Sequence, residues 1–324
     1  MSAPALRVGV AAIAALLVST AGPAPVFAQT LSWTAVGTLP VRADTVELQN
    51  GLAYVASDKT FTVFDVSNPA APKQLGSHTF PEEIWAFRLQ GQTAYVGVNF
   101  FGLAILDVSN PAALALKGSF KTSGQAKVGA VSGTRALVVD HMKGIVEVDI
   151  TNPAKMTSPG SFFLDGYARD VVVSGSLAFA VDSPTGLYVF DLARPGPLEP
   201  IATVQNGTAL RTVDVTTGEG PRLAVLVGGG VLQVYDVSNP ATPIKLPPYK
   251  TAGAAQRVAL KGRRAYVADG AGGLTVVDLS NPRQPVILGS HKTAGSARDV
   301  AVDDSLVLVA VANADAILLR ESQR

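Results

Sequence analysis

Seven residues at one repeated position of the chain include four cations and are the strongest candidates for chemistry. Each stands four residues before an apolar residue of the same repeat, and together they are Asp44, Trp85, Lys127, Arg169, Arg211, Gln256 and Arg298. Guanidinium groups form paired hydrogen bonds with carboxylates and phosphates, and an indole ring offers a face for stacking. The set therefore predicts a binding site for an anionic or polar ligand, provided that the fold brings the seven positions together.

The same cations have a second interpretation, which is structural. Asp170 and Asp299 directly follow Arg169 and Arg298 in the chain, and carboxylates of neighbouring repeats would pair with the cations. Structural ion pairs perturb charged groups much as binding sites do, so a cluster of charges does not by itself distinguish the two. The sequence leaves both interpretations open.

Further aromatic and titratable side chains fall in turns predicted at the same end of the repeats. Tyr167, Phe100 and Phe101 would add an aromatic wall to the site, and His141 lies in a neighbouring turn. Asp44 and His141 are the candidates for a general acid and base, so the alternative function is an enzyme acting on a polar carbohydrate or an anionic small molecule. However, nearby cations would keep Asp44 ionised and unsuited to donating a proton.

The remaining motifs carry little chemistry. The chain has no cysteine and three histidines, of which His78 and His291 share a Gly-Ser-His context that indicates a local role. Neither H-E-x-x-H nor Gly-x-Ser-x-Gly is present. The run Gly228-Gly229-Gly230 lacks the Lys-Ser/Thr that follows in a phosphate-binding loop and is interpreted as a turn. We assign no catalytic residue and expect neither a metal nor a cofactor.

The elements that must position the candidate site are set by a nonapeptide that recurs six times. Residues 274–282 read LTVVDLSNP, and the aspartates of the six copies are Asp65, Asp107, Asp149, Asp191, Asp236 and Asp278. The steps between them are 42, 42, 42, 45 and 42 residues, and the longer step locates an insertion at residues 217–221. Asp and Asn side chains accept hydrogen bonds from nearby turn amides, and Asn-Pro disfavours helix. The aspartates are therefore predicted to end a strand in a capped turn, not to bind metal.

Each repeat contains four strand-like stretches separated by turn residues. In the sixth repeat they are residues 257–261, 265–268, 274–279 and 285–290. Helical periodicity is not sustained beyond the N-terminal segment, which excludes an α-solenoid. Four short strands in a unit of about forty residues are typical of one blade of a β-propeller. The predicted fold is all-β, with four-stranded antiparallel blades.

The number of blades follows from the length of the chain. Residues 31–324 span seven units of 42 residues. Three strands follow the sixth blade, at residues 298–302, 306–311 and 316–320, and the fourth is expected at about residues 31–38. Such closure removes the free edges of the sheets. We therefore predict a single seven-bladed propeller domain over residues 29–324, closed by an N-terminal strand that completes the C-terminal blade.

Residues 1–28 have the features of a secretory signal peptide. Arg7 precedes an apolar run over residues 8–18, and the segment ends in small residues. That run is too short for a transmembrane segment, which needs about 20 residues. We expect an exported monomer that is periplasmic, secreted or associated with the cell surface. Charged residues make up 16% of the chain and its net charge is +1, so no nucleic-acid partner is expected.

The nonapeptides resemble those of the LVIVD-repeat β-propellers, a family of exported or cell-surface proteins of bacteria and archaea. The resemblance covers the mature chain, and the ending D-[VIL]-[ST]-N-P occurs in blades one, two, three, five and six. Blade four departs from it at residues 193–197, and blade seven has Arg320 in place of the aspartate. The resemblance implies the architecture, an exterior location and a binding or adhesion role, and no catalytic residues.

These observations together predict an exported, non-enzymatic binding or interaction propeller. Its expected partner is an anionic or polar ligand, or a cell-surface protein or polysaccharide, held at one mouth of the central channel. The residues assigned to this mouth are the seven at the repeated position together with Tyr167, Phe100 and His141.

Overall fold

The computed structural model describes residues 31–217 and 220–322 and shows seven antiparallel sheets arranged as the blades of a β-propeller. The predicted all-β, seven-bladed fold is confirmed. The only helix in these residues is a short 3-10 helix, Pro153–Lys155. The described residues contain no helix that is long and apolar enough to cross a membrane. The predicted signal peptide lies outside the described residues.

The first three blades run in chain order from the channel outward. The first strand of the described residues is β1 (Ser32–Leu39), which belongs to the last blade. Blades one to three then contain β2 (Thr45–Gln49), β3 (Leu52–Ser57), β4 (Thr60–Asp65), β5 (Lys73–Thr79), β6 (Ile84–Gln90), β7 (Thr93–Val98), β8 (Gly102–Asp107), β9 (Ala115–Phe120), β10 (Ala126–Ser132), β11 (Arg135–Asp140), β12 (Gly144–Asp149) and β13 (Thr157–Phe162).

Blades four to seven repeat this order with one irregularity in blade five, where β20 pairs with two short outer strands. They contain β14 (Tyr167–Ser174), β15 (Leu177–Ser183), β16 (Gly186–Asp191), β17 (Pro200–Gln205), β18 (Thr212–Val215), β19 (Leu223–Gly228), β20 (Val231–Asp236), β21 (Ile244–Lys245), β22 (Tyr249–Lys250), β23 (Arg257–Lys261), β24 (Arg264–Ala268), β25 (Leu274–Asp278), β26 (Val286–His291), β27 (Ala297–Val302), β28 (Val307–Val311) and β29 (Ala316–Ser322).

The ring is closed by β1, which forms the outer strand of blade seven. It pairs antiparallel with β29, from Ser32 opposite Ser322 to Leu39 opposite Ala316. Trp33 is buried in this strand, and its ring packs edge-on against Tyr266 of blade six, with 6.1 Å between ring centroids. The strand predicted from the N-terminal sequence therefore completes the C-terminal blade.

Apolar side chains of both faces of each sheet pack against the neighbouring blades. Between blades one and two, Phe61 and Phe87 are fully buried with 4.9 Å between their ring centroids. Val, Ile and Phe occur at successive positions of these strands. Successive side chains point to opposite faces of a sheet, and both faces are covered here by neighbouring blades. The rigid disc that results holds seven inner strands around a central channel.

The recurrent aspartates cap turns, as the spacing predicts. In all six copies, Oδ1 of the aspartate accepts a hydrogen bond of 2.8–3.0 Å from the backbone amide two residues later. The Asn side chain that follows in five of the copies accepts a second such bond, for example 3.1 Å from Ala112 to Asn110. The repeated Asp-x-Ser-Asn-Pro segment therefore ends the third strand of a blade and fixes the path to the fourth.

This turn also contacts the preceding blade, at a glycine of its outer strand. A side chain at Gly118 in β9 would overlap the Pro153 carbonyl oxygen of blade three, and Gly37 and Gly76 stand in the same relation to Pro69 and Pro111. A glycine is required there because only the absence of Cβ allows the backbones to approach so closely. The repeat thus specifies contacts between blades as well as turns within them.

We expect Gly118→Ala to destabilise the protein, whereas Gly160→Ala leaves its stability unchanged. Gly160 stands at the equivalent position of β13, but no atom lies within 4 Å of the place that its Cβ would take. Overlap with a backbone carbonyl forces the blades apart at a cost of about 1–3 kcal/mol. Urea unfolding of both variants measures the difference, and equal stability of the two would contradict the proposed contact.

Candidate functional site

The seven candidate residues lie where the inner strands begin, at the end of the channel that we call the N-terminal mouth. Trp85, Arg169 and Arg298 each lie in a bulge near the start of β6, β14 and β27. Asp44 and Arg211 immediately precede β2 and β18. Bulges redirect side chains, so the seven do not point the same way.

Lys127 turns from the mouth into the channel. Its Nζ lies 3.7 Å from Oδ1 of Asp170 and donates a hydrogen bond of 3.0 Å to the carbonyl oxygen of Arg169. Burial lowers the pKa of Lys127 to about 8, although Asp170 partly opposes that shift. This cation is therefore part of the interior of the protein and is not available to a ligand at the mouth.

Three other members of the set are satisfied by the protein itself. The Arg298 guanidinium lies 2.6 Å from Oδ1 of Asp44, and the Asp58 amide donates to Oδ2 of Asp44 at 3.1 Å. Gln256 donates through Nε2 to the carbonyl oxygen of Ala254 at 2.7 Å. Asp44 and Arg298 thus neutralise each other on the side of the mouth formed by blades seven and one.

Arg169 and Arg211 form the cationic side of the mouth, on blades four and five. The Arg169 guanidinium carbon lies 5.8 Å from the centre of the Tyr167 ring, within the range of a cation–π contact. Arg211 is exposed and forms no ion pair with any residue in the described ranges. Arg169 also forms no ion pair among the described residues, but its charge acts on the buried Asp182 carboxylate of the same blade, so the positive charge on this side of the N-terminal mouth is only partly compensated.

Trp85 and His141 lie together on blades two and three. Their rings pack edge to face with 5.3 Å between centroids, and Nδ1 of His141 lies 3.1 Å from Oε1 of Gln125. Burial lowers the pKa of His141, and the nearby Arg169 charge lowers it further, so the imidazole is neutral at pH 7. No contact within the described residues joins His141 to Asp44, the two residues considered as general base and acid.

The face around the N-terminal mouth exposes several large apolar side chains. Phe100 and Tyr167 are 56% and 63% exposed, and Met142 and Phe163, in turns of blade three, are 64% and 67% exposed. Phe101 is instead half-buried, with 6.4 Å between its ring centroid and that of Phe80. Exposed apolar groups on one face indicate an interaction surface more than scattered ones do.

The channel itself contains a charge network that the candidate set does not include. Asp170 is fully buried, and its carboxylate lies 3.0 Å from Arg257, 3.5 Å from Arg88 and 3.7 Å from Lys127. Arg257 reaches further to Asp299, at 3.4 Å. Burial disfavours the ionised form of Asp170, but the three cations outweigh that effect and hold its pKa below the usual range.

The carboxylates of the network also cap backbone amides of the next blade. Glu47 accepts a hydrogen bond of 3.0 Å from Leu89, and Asp214 accepts one of 2.7 Å from Leu260. Asp299 accepts from the Thr45 hydroxyl at 2.7 Å. Burial raises the pKa of Glu47 to about 7 and raises that of Asp214. The network therefore joins neighbouring inner strands across the channel.

A simple signal in the sequence would have found this network. Outside blade three, the residues one and three positions after the candidate set lie on the channel face of their strands, and half of them are Thr, Ala or Val. Charged residues interrupt both series, and they are Glu47, Arg88, Asp170, Asp214, Arg257 and Asp299. Charges inside strands that are otherwise apolar mark buried ion pairs, since an unpaired buried charge is costly.

The structural interpretation therefore accounts for some of the candidate residues, and the binding interpretation stays a prediction for the others. Lys127, Arg298 and Asp44 form ion pairs as the structural interpretation expects, with Asp170 as the partner of Lys127. Arg169 and Arg211 stay at the mouth. In residues 31–217 and 220–322 no group of three or more His, Asp or Glu side chains is arranged to hold a metal ion.

The seven blades, closed by an N-terminal strand around a polar channel, define the protein as a seven-bladed β-propeller. The sequence profile of the LVIVD repeat matches residues 42–79, 85–122, 123–163, 165–197 and 252–293, which make up more than half of the chain. The chain belongs to the LVIVD repeat family. The matches coincide with blades one to four and six, whereas blade five carries the insertion. No curated protein sequence matches the chain.

Solved structures with the same fold share little sequence with the chain. The computationally designed Ika8 protein is 12% identical, with a TM-score of 0.62, over 88% of this chain and 99% of that protein. Raptor of Chaetomium thermophilum is 15% identical, with a TM-score of 0.74, over 91% of this chain and 29% of that protein. At such identities the similarity concerns the fold alone, so function must be argued from the site.

Proposed function

We propose that the protein is an exported, non-enzymatic binding module that holds an anionic or polar ligand at the N-terminal mouth of its channel. The ligand is a small anion or the acidic part of a cell-surface protein or polysaccharide. The features of a signal peptide in residues 1–28 support export. The family supports a binding scaffold, because its repeats build a rigid disc with two broad faces.

One observation supports this proposal, namely that two cations on blades four and five, Arg169 and Arg211, form no ion pair among the described residues. Arg169 is held over the Tyr167 ring, and Arg211 is exposed without an ion pair among the described residues. A guanidinium that is already oriented loses less entropy when it forms paired hydrogen bonds with a carboxylate, phosphate or sulfate. The adjacent position on blade three, Lys127, is turned inward, so the ligand contacts Arg169 and Arg211.

The surroundings of the two arginines suit a ligand larger than a free ion. Tyr167 is exposed beside Arg169, Phe163 is exposed in the link between blades three and four, and Trp85 offers a partly exposed ring on blade two. Aromatic rings give contact area at low cost in conformational entropy. By contrast, Asp58 and Glu83 surround Asp44 on the side of blades one and two, which disfavours an anion there.

The test replaces both arginines and measures binding to an array of carboxylated and sulfated glycans, with neutral glycans as the reference. We expect the double variant Arg169→Ala/Arg211→Ala to lose at least about tenfold in affinity, because each charge-assisted hydrogen bond contributes about 1.5–3 kcal/mol. Arg298→Ala is the matched control, since Arg298 occupies the same repeated position but is paired with Asp44. An equal loss in the control, or no acidic glycan bound by the wild type, would contradict the proposal.

A further inference from the structure

The opposite half of the channel is a cavity that the proposed function does not use. It lies toward the end at which the inner strands finish, which we call the C-terminal mouth. One part has a volume of about 210 Å³ and is lined by Glu47, Arg88, Asp214 and Arg257. A second part of about 230 Å³ shares Arg88, Val172 and Asp214 with the first, so the two are neighbouring parts of one space.

The charges that line the channel do not balance. Among the described inner-strand residues that form the network, four are carboxylates and three are cations, namely Glu47, Asp170, Asp214 and Asp299 against Arg88, Lys127 and Arg257. The further cation at the C-terminal mouth, Lys261, pairs with Asp304 at 3.0 Å. At a pH above the raised pKa of Glu47, where all four carboxyl groups are counted as ionised, one positive charge would neutralise the network.

Asp214 is the carboxylate of this network that no cation among the described residues contacts directly. It accepts hydrogen bonds of 2.8 Å from the Val215 amide and 2.7 Å from the Leu260 amide, but it has no ion pair within the described residues. Asp170 and Asp299 contact Arg257, and Glu47 lies 3.7 Å from Arg88. Asp214 therefore presents to the cavity that it lines a carboxylate without a directly paired cation, although the charges of Arg257 and Arg88 act on it from a greater distance.

A second polar group without a partner lies on the same strand. Thr212 is 5% exposed, and its hydroxyl has no hydrogen-bond partner. It stands two residues before Asp214 in β18, so both side chains are on the channel face of the strand. At the equivalent position of blade one, the Thr45 hydroxyl donates to Asp299. Thr212 does not line either part of the cavity, so this hydroxyl belongs to the channel wall nearer the N-terminal mouth.

The walls between these polar groups are apolar and close together. Val172, Ala259 and Ala301 line the first part of the cavity, and Ala130 lines the second. The cavity is smaller than the pockets of about 300–1,000 Å³ that hold drug-sized ligands. A ligand of few heavy atoms with one positive charge and a short apolar part fits both its size and its lining.

We propose that this cavity binds a small organic monocation, an alkyl chain with one primary ammonium group, whose ammonium contacts the Asp214 carboxylate and whose alkyl part packs against Val172 and Ala259. Burial of Glu47 and Asp214 raises the pKa of both carboxyl groups, and an ammonium between them would favour their ionised forms. The site differs from the N-terminal mouth in position and in the charge of its ligand.

The test titrates the protein with n-butylammonium at about pH 8, where an alkylamine remains protonated, and follows binding by calorimetry and by chemical shifts of the inner strands. Its neutral counterpart, 1-butanol, is titrated in parallel. We expect n-butylammonium to bind and 1-butanol not to bind. Equal binding of the two would show an apolar site only, and no binding of n-butylammonium would also overturn the proposal.

Two variants locate the site. Asp214→Asn keeps the acceptor for the Leu260 amide but removes the charge, so binding of n-butylammonium is expected to weaken at least about tenfold. Asp236→Asn in the same blade is the control, because Asp236 caps a turn outside the channel. If Asp214→Asn fails to fold, Ala259→Leu fills the cavity without altering its charge and should abolish binding. Retained affinity in the folded variants would overturn the assignment.

Discussion

Replacing Asp170 by asparagine should lower the free energy of unfolding by about 3–5 kcal/mol, because it leaves buried cations without their partner. Three cations, Arg257, Arg88 and Lys127, lie 3.0–3.7 Å from the Asp170 carboxylate. Asparagine has nearly the same volume and still accepts a hydrogen bond from the Val213 amide, so the effect is electrostatic. Urea unfolding monitored by fluorescence or circular dichroism measures it.

Two further variants test this explanation. Asp44→Asn removes the exposed partner of Arg298 and should cost less than about 1 kcal/mol, since exposed ion pairs contribute little. Adding Lys127→Met to Asp170→Asn should recover part of the stability, because one of the cations left without a partner is then removed. If Asp170→Asn were no more harmful than Asp44→Asn, the network would not stabilise the ring.

Replacing Trp33 by alanine should destabilise the closed ring by about 3–5 kcal/mol, the usual loss for a large buried aromatic side chain. Trp33 lies in β1 and packs with Tyr266, Leu288 and Leu319, which belong to blades six and seven. The cavity left by the indole would weaken the attachment of β1, and with it the edge protection of β29. Urea unfolding gives the loss, and size-exclusion chromatography detects association through the freed edge.

Trp33→Phe is the conservative control. The indole Nε1 has no hydrogen-bond partner in the described structure, so phenylalanine removes no hydrogen bond and keeps most of the packing. The decrease in the free energy of unfolding caused by Trp33→Phe should therefore be a small part of the decrease caused by Trp33→Ala. A ring that kept its stability and its monomeric state in Trp33→Ala would show that β1 contributes little to closure.

Much of the fold could be predicted because each repeat contains the residues that form its turns. In the Asp278-x-Ser280 pattern, the Ser280 amide donates a hydrogen bond to the Asp278 carboxylate and so ends the strand. The pattern recurs at a nearly constant period. The sequence analysis did not predict that the outer strand of blade five is divided into two short strands, although the cause is present in the sequence. Pro247 and Pro248 separate β21 from β22, and a residue without an amide hydrogen cannot continue a sheet ladder.

The site was less predictable, because the direction of a side chain at the start of a strand depends on bulges. Alternation alone placed Lys127 at the mouth with Arg169, but Lys127 reaches the buried Asp170 across the blade boundary. Pairings of this kind join residues some 42 positions apart, and a single sequence shows the charges without showing their partners. The prediction that Arg169 and Arg211 face a ligand remains to be tested by the double variant.

The pairing of β1 with β29 sets the order in which the molecule is completed. Ser32 and Ser322, joined by a hydrogen bond of 3.1 Å, are 290 residues apart. During synthesis β1 must therefore wait for β29, and contacts of such long range form slowly. The blades between them can fold one after another, but the ring stays open until β29 has left the ribosome.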